Sequence, residues 1–477
     1  MPNARRILLL VTALIGAAMA APAAANASAD AGAGTKDLCR DFKLVPIDDH
    51  TRSAVVDHVW SGTQIGYGGV DADPNLYFGY YNARRQLTVA HYHRPSKRMC
   101  HRQLPSTFGG WDSHNSVVMT VDKDGYLHVA GNMHSSPLVY SRAHKPGAID
   151  GMHLSHMIGK DEARTSYPTF LTLSDGTLLF LYREGGSGDG RWIVNRYDQG
   201  QWLRLHDTLF AGQDERGPIS AYPSNFVRDA RGRYHVAIVW RRSAEASTNF
   251  AVSYAATRDF EKWTALDGST LSLPLSPKSA DLVEYPDVGS GLRNPAQLVL
   301  SPDQQPIISF SRHISDGRST VFIAQPFETR WVLRPILASK LRVPMQGYGT
   351  LPKIPAFYGP SYSPDGQSAW MDIVFPDEEA QRVPLSLDTL TPSARPQPRP
   401  QPVALNVPLP KMPELQDPVE NLVGVLPTDL KPRRSVLRYL RYLSQAINRD
   451  QARACTPEWP RACNPPPALL YYSETRR

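Results

Sequence analysis

Cysteine and long hydrophobic runs are both scarce in this chain. Only four cysteines occur among 477 residues, and none has the CxxC spacing that is typical of a zinc ribbon. The most extended apolar run, residues 7–20, is too short to cross a hydrocarbon core of about 30 Å as a helix. We therefore expect neither a membrane-spanning segment nor a cysteine-based zinc site.

A strong excess of one charge is also lacking. Lys and Arg number 52 and Asp and Glu number 45, so the formal net charge is 52 − 45 = +7. The chain has no Lys/Arg-dense run and no aromatic-basic RNA motif, which argues against nucleic-acid binding. This mild surplus remains compatible with an acidic ligand. A hydrophobic content of 41 % excludes a collagen, a coiled coil and a globally disordered chain.

Helical periodicity is missing from about residue 50 to residue 390. Short β-branched or alternating runs recur there between turn residues, which is the pattern of strands. Turns followed by apolar strands repeat, with Gly125, Gly176, Gly232, Gln305 and Gly366 at matching positions that lie 51, 56, 73 and 61 residues apart. Because one four-stranded propeller blade takes about 40–50 residues, residues 37–390 are predicted to form a seven-bladed β-propeller. A two-sheet sandwich with long loops is the alternative all-β fold.

The N-terminus has the pattern of an export signal. Arg5 and Arg6 precede the apolar run, and small residues follow it, so residues 1–29 are predicted to be a cleaved signal peptide. The mature protein is then expected to be secreted or periplasmic, where disulfides form. Four cysteines allow three pairings. We favour the two pairings that join neighbours in the chain, Cys39–Cys100 and Cys455–Cys463.

The C-terminal part differs in composition from the rest. Nine prolines fall within the 27 residues 392–418, so residues 391–420 are predicted to be a linker or a strap on the surface. Residues 421–477 are predicted to be a C-terminal extension with a short helix. That helix would pack its apolar face on the propeller, and the face consists of Val436, Leu437, Leu440, Leu443 and Ile447.

The side chains suited to chemistry concentrate in three places. The first is the WDSHN and GNMH pair of segments, with His114, Asn115 and His134. In the second, Tyr167 of SYPTF and Arg183 of YREGGSGDG lie 16 residues apart, at the outer ends of a predicted hairpin. The third repeats this pattern and is formed by Tyr222 and Arg241, which are 19 residues apart. Propeller blades would bring these three sets to one cleft.

Tyr, His and Arg around one cleft, without a convincing pair of acids, suit β-elimination from a uronic acid. An arginine neutralises the carboxylate and stabilises the enolate-like charge that forms when the neighbouring proton leaves. A tyrosine whose pKa is lowered from about 10 by a nearby cation can take that proton and then protonate the leaving sugar oxygen. A histidine either assists as a base or holds the carboxylate as a cation.

At these segments the sequence resembles secreted BNR-repeat propeller proteins that include ulvan lyases and rhamnose–glucuronate lyases. The resemblance covers roughly residues 60–385 and implies a seven-bladed propeller and cleavage at a uronic acid linked to rhamnose. It also implies roles for the site residues. His114 and His134 are the active-site histidines, Tyr167 is the base and the acid, and Arg183 neutralises the substrate carboxylate. We expect Asn115, Tyr222 and Arg241 to bind substrate. No cofactor is expected to be required, and the predicted partner is an acidic polysaccharide or oligosaccharide bound by a monomer.

Two other functions compete with this hypothesis. A sialidase-like hydrolase would use Arg183, Arg241 and Arg312 as an arginine triad, but it needs a well-placed acid, for which Asp112 and Asp189 are the candidates. A propeller that binds carbohydrate without cleaving it is the other.

Metal sites are weakly indicated. They rest on the histidine pairs His91/His93 and His153/His156, which lack a third ligand at diagnostic spacing. A structural Ca²⁺ held by loop carboxylates also remains open.

Overall fold

The computed structural model describes residues 38–351, 353–400, 409–428, 436–446 and 450–476. The predicted signal peptide, residues 1–29, lies outside the described residues. Residues 401–408 of the proline-rich segment lie outside them as well. The described residues form one compact unit within Asp37–Arg477. It is a β-propeller, so the all-β prediction is confirmed. In the described part there is no α-helix, only a 3-10 turn at Ala246–Thr248, and no helix there is long and apolar enough to span a membrane.

Six sheets in the described residues have the four or more strands of a propeller blade, and they are numbered here from blade 1 to blade 6. Blade 1 consists of Gly68–Ala72, Asn75–Tyr81, Gln86–His93 and Arg98–Thr107, with Leu38–Asp41 on its outer edge and Leu426–Pro427 on its inner edge. Blade 2 consists of Thr165–Thr172, Leu178–Glu184, Arg191–Asp198 and Gln201–Phe210, with His134–Ser136 beside the first strand. Blade 3 consists of Ser220–Pro223, Val227–Arg228, Tyr234–Arg241, Asn249–Thr257, Trp263–Thr264, Thr270–Leu271 and Asp281–Glu284.

The remaining three blades follow in chain order, and the last of them also contains strands from the N-terminal part. Blade 4 consists of Gln297–Leu300, Pro306–His313, Ser319–Phe327 and Arg330–Ala338. Blade 5 consists of Ala356–Phe357, Ser361–Tyr362, Ala369–Val374, Gln381–Leu385 and Gln397–Pro398. Blade 6 combines Val45–Pro46 and Thr51–Val59 from the N-terminal part with Pro418–Gly424, Val436–Gln445 and Ala468–Arg476 from the C-terminal part. A two-stranded hairpin, Gln213–Asp214 and Gly217–Pro218, follows blade 2.

The expected count of seven blades is wrong. Between blades 1 and 2 the chain forms only a three-stranded sheet of Val117–Val121, Leu127–Gly131 and Tyr140–Arg142. The residues that follow are broken by Pro146 and by Gly147, Gly151 and Gly159, all three of which have φ between +68° and +81°. Glycine in this region of φ bends the chain away from the extended form. An outer fourth strand therefore does not form.

The predicted C-terminal helix is also wrong, because Val436–Gln445 is a strand. It lies between Pro418–Gly424 and Ala468–Arg476 and bonds to both. Two arginines of this strand form ion pairs: Arg441, which is buried, with Glu420 at 2.5 Å, and Arg438, which is half-buried, with Asp71 at 3.1 Å. Both faces are covered over Tyr439–Tyr442, whereas Leu437 is exposed. Ile447, the last residue of the predicted apolar stripe, lies outside the described residues.

The hydrophobic core is divided among the interfaces between neighbouring sheets. One cluster, for example, packs Leu179 and Trp192 of blade 2 against Trp240 and Phe250 of blade 3. Both predicted disulfides are confirmed. Cys39–Cys100 joins directly opposed residues of blade 1 and its edge strand, and Cys455–Cys463 closes a short loop in the C-terminal part.

Candidate functional site

The predicted site residues lie at the same end of neighbouring sheets. In an antiparallel hairpin, the start of the first strand and the end of the second meet at one edge. Ser166, next to Tyr167, is accordingly opposite Arg183 in blade 2, and Ser220 is opposite Arg241 in blade 3. His114 precedes the first strand of the three-stranded sheet. The propeller therefore brings the three sets to one face, which we call the site face.

His114 and His134 share one carboxylate. Asp112 accepts a hydrogen bond from Nδ1 of His114 at 2.6 Å and another from Nδ1 of His134 at 2.5 Å. The two rings stack with their centroids 4.3 Å apart. Burial lowers the pKa of His114, but the hydrogen bond and charge of Asp112 outweigh it and raise the pKa above its usual value. Since Nδ1 of each ring is occupied, Nε2 is the nitrogen left to exchange a proton with a ligand.

Tyr167 lies beside this pair in a distorted part of blade 2. The strand register shifts between Ser166 and Thr169, and Tyr167 has φ +55°. Such a bulge re-aims a side chain, and a non-glycine residue with this φ is strained, a feature that concentrates at functional sites. The Tyr167 ring centroid is 5.8 Å from that of His114 and 5.6 Å from that of His134. The bulge thus points the phenol at the imidazole pair.

Arg183 stacks against the Tyr167 ring, with its Cζ 4.7 Å from the centroid. Burial nevertheless raises the pKa of Tyr167 to about 12, although the charge of Arg183 lowers it. The net lowering expected from the sequence does not occur, because desolvation of the phenolate exceeds the attraction of the cation. Tyr167 is therefore a protonated phenol at neutral pH, ready to donate a proton.

Arg183 is a buried cation with no acidic partner. Its side chain is 0 % exposed, and no carboxylate in the described part of the chain lies within 4.0 Å of it. Its guanidinium donates to Ser166 Oγ at 3.3 Å and to Tyr222 Oη at 3.5 Å, while Nε has no partner. Burying a charge without a counter-ion is costly. The arrangement therefore suits an anionic ligand.

The glycine-rich loop after Arg183 packs closely on this arginine. A Cβ added to Gly190 would lie 2.6 Å from Arg183 Cδ, and one added to Gly188 would lie 2.3 Å from the Ser243 backbone. Ser220 Oγ holds the loop by accepting from the backbone N–H groups of both glycines at 3.0 and 2.9 Å. Only glycine fits these close approaches.

Tyr222 connects the arginines of blades 2 and 3. Its hydroxyl lies 3.5 Å from Arg183 Nη1, 3.4 Å from Arg241 Nη1 and 2.6 Å from Ser187 Oγ. The Arg241 guanidinium also donates to the backbone oxygens of Ala244 and Glu245, and these hydrogen bonds fix its orientation. The predicted Tyr222–Arg241 pair therefore adjoins the Tyr167–Arg183 pair.

Other predicted candidates are placed differently. Asn115 donates its side-chain amide to the backbone oxygen of Asp112 at 3.1 Å, within the turn that carries the histidines. Arg312, proposed for an arginine triad, is paired with Glu284 at 2.5 Å. Asp189 caps the glycine-rich loop by accepting from Gly186 N–H at 2.7 Å.

The histidines considered for a metal have other partners. His91 is hydrogen-bonded to Asn75, His93 to Ser96, His153 to His144 and His156 to Glu162. Among the described residues, three potential ligand atoms within 4.8 Å of one another occur only in the cluster of Asp112, His114 and His134. Both oxygens of Asp112 already accept a hydrogen bond from a histidine in this cluster.

Sequence reasoning missed Asp450 and the bridging role of Asp112. Asp450 lies 3.8 Å from His114 Nδ1 and contributes to its raised pKa. Its carboxylate also accepts from Thr350 N–H at 2.8 Å and from Thr350 Oγ1 at 2.6 Å. No local motif surrounds Asp450. For Asp112, the spacing in Asp112-Ser-His114 was the available signal, since an aspartate two residues before a histidine can bond to its ring.

Fold and site together define a β-propeller with imidazole, phenol and guanidinium groups on one face. The model of the family described as "BNR repeat-containing family member" matches residues 75–338, more than half of the chain. The chain therefore belongs to the BNR repeat-containing family.

Curated relatives match over shorter stretches. An ulvan lyase, long isoform, from Glaciecola sp. (strain KUL10) is 27 % identical over 174 residues, which cover 28 % of this chain and 17 % of that protein. An ulvan lyase, long isoform, from Pseudoalteromonas sp. (strain PLSV) is 53 % identical over 36 residues, which cover 8 % of this chain and 4 % of that protein. The chain thus spans less than a fifth of the length of these relatives.

Solved structures agree over most of the chain. The polysaccharide lyase Uly1 superposes with a TM-score of 0.53 at 14 % identity, covering 91 % of this chain and 100 % of that one. An ulvan lyase bound to -[GlcA(1-4)Rha3S]- superposes with a TM-score of 0.55 at 12 % identity, covering 83 % of this chain and 93 % of that one. At this identity the likeness establishes the fold.

Proposed function

We propose that this protein is an exported polysaccharide lyase that cleaves a uronic-acid-containing glycan, of the rhamnose–glucuronate type, by β-elimination. One observation carries the proposal: Arg183, buried and without an acidic partner among the described residues, lies against the phenol of Tyr167 and beside the His114–Asp112–His134 cluster. The partial matches to ulvan lyases and the propeller shared with two polysaccharide lyases support the substrate class. The two disulfides support an oxidising compartment.

In the proposed reaction the uronate carboxylate pairs with Arg183, while Arg241 and Tyr222 orient the sugar. Nε2 of the imidazole pair removes the proton next to the carboxylate, and Arg183 stabilises the enolate-like charge that develops. The electron pair of that C–H bond forms the new C=C bond as the C–O bond to the neighbouring sugar breaks. Tyr167 donates its proton to the departing oxygen. A pKa of about 12 keeps Tyr167 protonated for this step.

The proposed chemistry needs no metal. Each oxygen of Asp112 accepts a hydrogen bond from an imidazole, so the carboxylate is used to orient the base. Treatment with a chelator followed by dialysis is expected to leave turnover unchanged. Loss of turnover that added metal restores would contradict this part of the proposal.

The test is incubation with rhamnose–glucuronate polysaccharides while the ultraviolet absorbance of the unsaturated uronate product is followed. Tyr167→Phe removes the proton donor and is expected to lower turnover by about 10²- to 10⁴-fold, with Kd changed less than about threefold. Tyr126→Phe is the matched control, because Arg142 stacks on that ring at 3.8 Å at the opposite end of its hairpin.

Each other result has a definite meaning. New reducing ends without absorbance would replace the lyase by a hydrolase. Binding with neither signal would replace it by a carbohydrate-binding propeller. Full activity of Tyr167→Phe would remove Tyr167 from the reaction.

A further inference from the structure

A second cation, half-buried and with two buried nitrogens that lack partners, lies further along the site face. Arg293 of blade 4 has Nε and Nη1 buried with no hydrogen-bond partner, and it forms no ion pair in the described part of the chain. Its guanidinium stacks on the Phe357 ring at 4.9 Å. Burial lowers the pKa of Arg293, and the nearby Tyr358 phenol opposes this. Buried polar groups without partners are rare in proteins, and a buried unpaired charge is costly unless a ligand satisfies it.

The sequence repeats a motif at this position. A proline follows Tyr167 in blade 2 and Tyr222 in blade 3. Before blade 4 the corresponding proline is Pro295, which follows Arg293 and Asn294. The backbone N–H of Arg293 donates to Ser311 O at 2.9 Å, close to the end of the next strand of blade 4. Arg293 therefore lies at the same end of its blade as the tyrosines do in theirs.

A series of contacts connects the two sequence neighbours of Arg293 with Arg241. Arg241 is opposite Asn249 in blade 3. The Asn249 amide donates to Leu292 O at 2.7 Å and to Asn294 Oδ1 at 2.9 Å, the two neighbours of Arg293 in sequence. The path from Arg183 through Tyr222 and Arg241 thus continues around the rim to Arg293. A glycan bound at Arg183 and extended along this rim would reach Arg293 with a sugar further along its chain.

Tyr358, whose side chain is close to Arg293, is 75 % exposed. An exposed aromatic ring beside a cation is a common way to hold a sugar that carries an acidic group. Arg312, the other arginine of this blade near the rim, is already paired with Glu284. Arg293, in contrast, forms no ion pair in the described part of the chain.

We infer that Arg293 forms a second anion subsite, which binds a sulfate ester or a second uronate carboxylate on the same glycan. The inference rests on the proposed function for the position of the glycan, and it specifies the substrate as a polyanionic chain with an acidic group beyond the cleaved uronate. The inference is tested by measuring binding in a Tyr167→Phe background. This test can therefore be made even if the protein has no lyase activity.

The experiment compares Kd values for a sulfated rhamnose–glucuronate polysaccharide and for the same polymer after desulfation. Adding Arg293→Met is expected to weaken binding of the sulfated polymer about tenfold. Arg293→Lys, which keeps the charge, is expected to weaken it less. The control is Arg330→Met, an exposed arginine at the opposite end of blade 4, which is expected to leave Kd unchanged. A loss confined to the sulfated polymer identifies a sulfate subsite, and an equal loss for both polymers identifies a carboxylate subsite.

Stability separates a ligand subsite from a structural role. Because the guanidinium has no acidic partner, Arg293→Met is expected to leave Tm unchanged or raise it. Unchanged Kd for both polymers, or a fall in Tm of several degrees in Arg293→Met, would overturn the inference. Absence of turnover in the wild-type protein would overturn only the proposed reaction.

Discussion

At the scale of single residues, Asp112 determines the charge state of the site. The hydrogen bonds from His114 and His134 outweigh burial and hold the pKa of Asp112 well below its usual range. In return the carboxylate raises the pKa of His114. Asp112 therefore favours the charged form of the His114 imidazole.

Asp112→Asn tests this cluster. The amide cannot accept from both rings, so turnover is expected to fall by about 10²- to 10⁴-fold. The variant also loses the charge that raises the His114 pKa, while the burial that lowers it remains. The midpoint of the acid limb of kcat/KM against pH is therefore expected to move to lower pH. An unchanged midpoint would contradict the role of the imidazole pair as base, and Asp124→Asn, an exposed carboxylate at the opposite end of its hairpin, is the control.

Sequence reasoning selected residues from recognisable segments, which the fold brings together, and it did not select Asp450. Tyr167 and Arg183 come from short segments that recur in blade 3, and His114 and His134 come from two segments that flank one hairpin. Asp450 reaches the site from the C-terminal part, and only the pairing of that part with the N-terminal strands brings it near His114. Such a long-range neighbour leaves no local pattern in the sequence.

At the scale of elements, the apolar spacing of one C-terminal segment fits both a helix and a strand. The apolar residues of Val436–Gln445 are spaced so that they also fit one face of a helix. The segment is a strand because its neighbours supply hydrogen bonds on both edges and acidic partners for its arginines. Those partners are distant in sequence, so periodicity alone could not decide between the two structures.

Two buried histidines, each held between an aspartate and a tyrosine, make stability depend on pH. Nε2 of His128 lies 3.1 Å from an Asp122 oxygen, and its Nδ1 lies 2.8 Å from the Tyr140 hydroxyl. His235 has the same two kinds of partner, Asp229 and Tyr254. Burial lowers the pKa of both histidines, although the aspartates oppose it. The folded protein then resists protonation that the unfolded chain accepts below about pH 6.5. The free energy of unfolding should therefore fall as pH decreases from about 6.5.

The slope of this dependence can be measured by urea unfolding at a series of pH values. Each buried histidine contributes at most about 1.4 kcal/mol per pH unit. His128→Gln is expected to reduce the slope between about pH 6.5 and the lower pKa of the folded state, whereas His50→Gln, at an exposed position, is expected to leave it unchanged. An undiminished slope in His128→Gln would show that other groups cause the acid sensitivity.

At the scale of the whole molecule, strands from both ends of the chain share blade 6. Ala468–Arg476 pairs on one edge with Thr51–Val59 and on the other with Val436–Gln445. Leu470 and Tyr472 of this strand are fully buried, and Tyr472 packs on Phe78 of blade 1 with the ring centroids 5.0 Å apart. The C-terminal strand is thus part of the propeller core, and it holds the two ends of the chain together.

Leu470→Ala is therefore expected to destabilise the whole propeller. Removing a fully buried leucine costs about 2–5 kcal/mol, whereas Leu469→Ala, on the less buried side of the same strand, should cost about 1 kcal/mol or less. Because the strand joins both termini, activity and intrinsic fluorescence are expected to be lost together in one urea transition with a lower midpoint. If a first transition removed only a fraction of the fluorescence and left activity intact, the C-terminal strands would be a separate unit, and Asp450 would not be needed at the site.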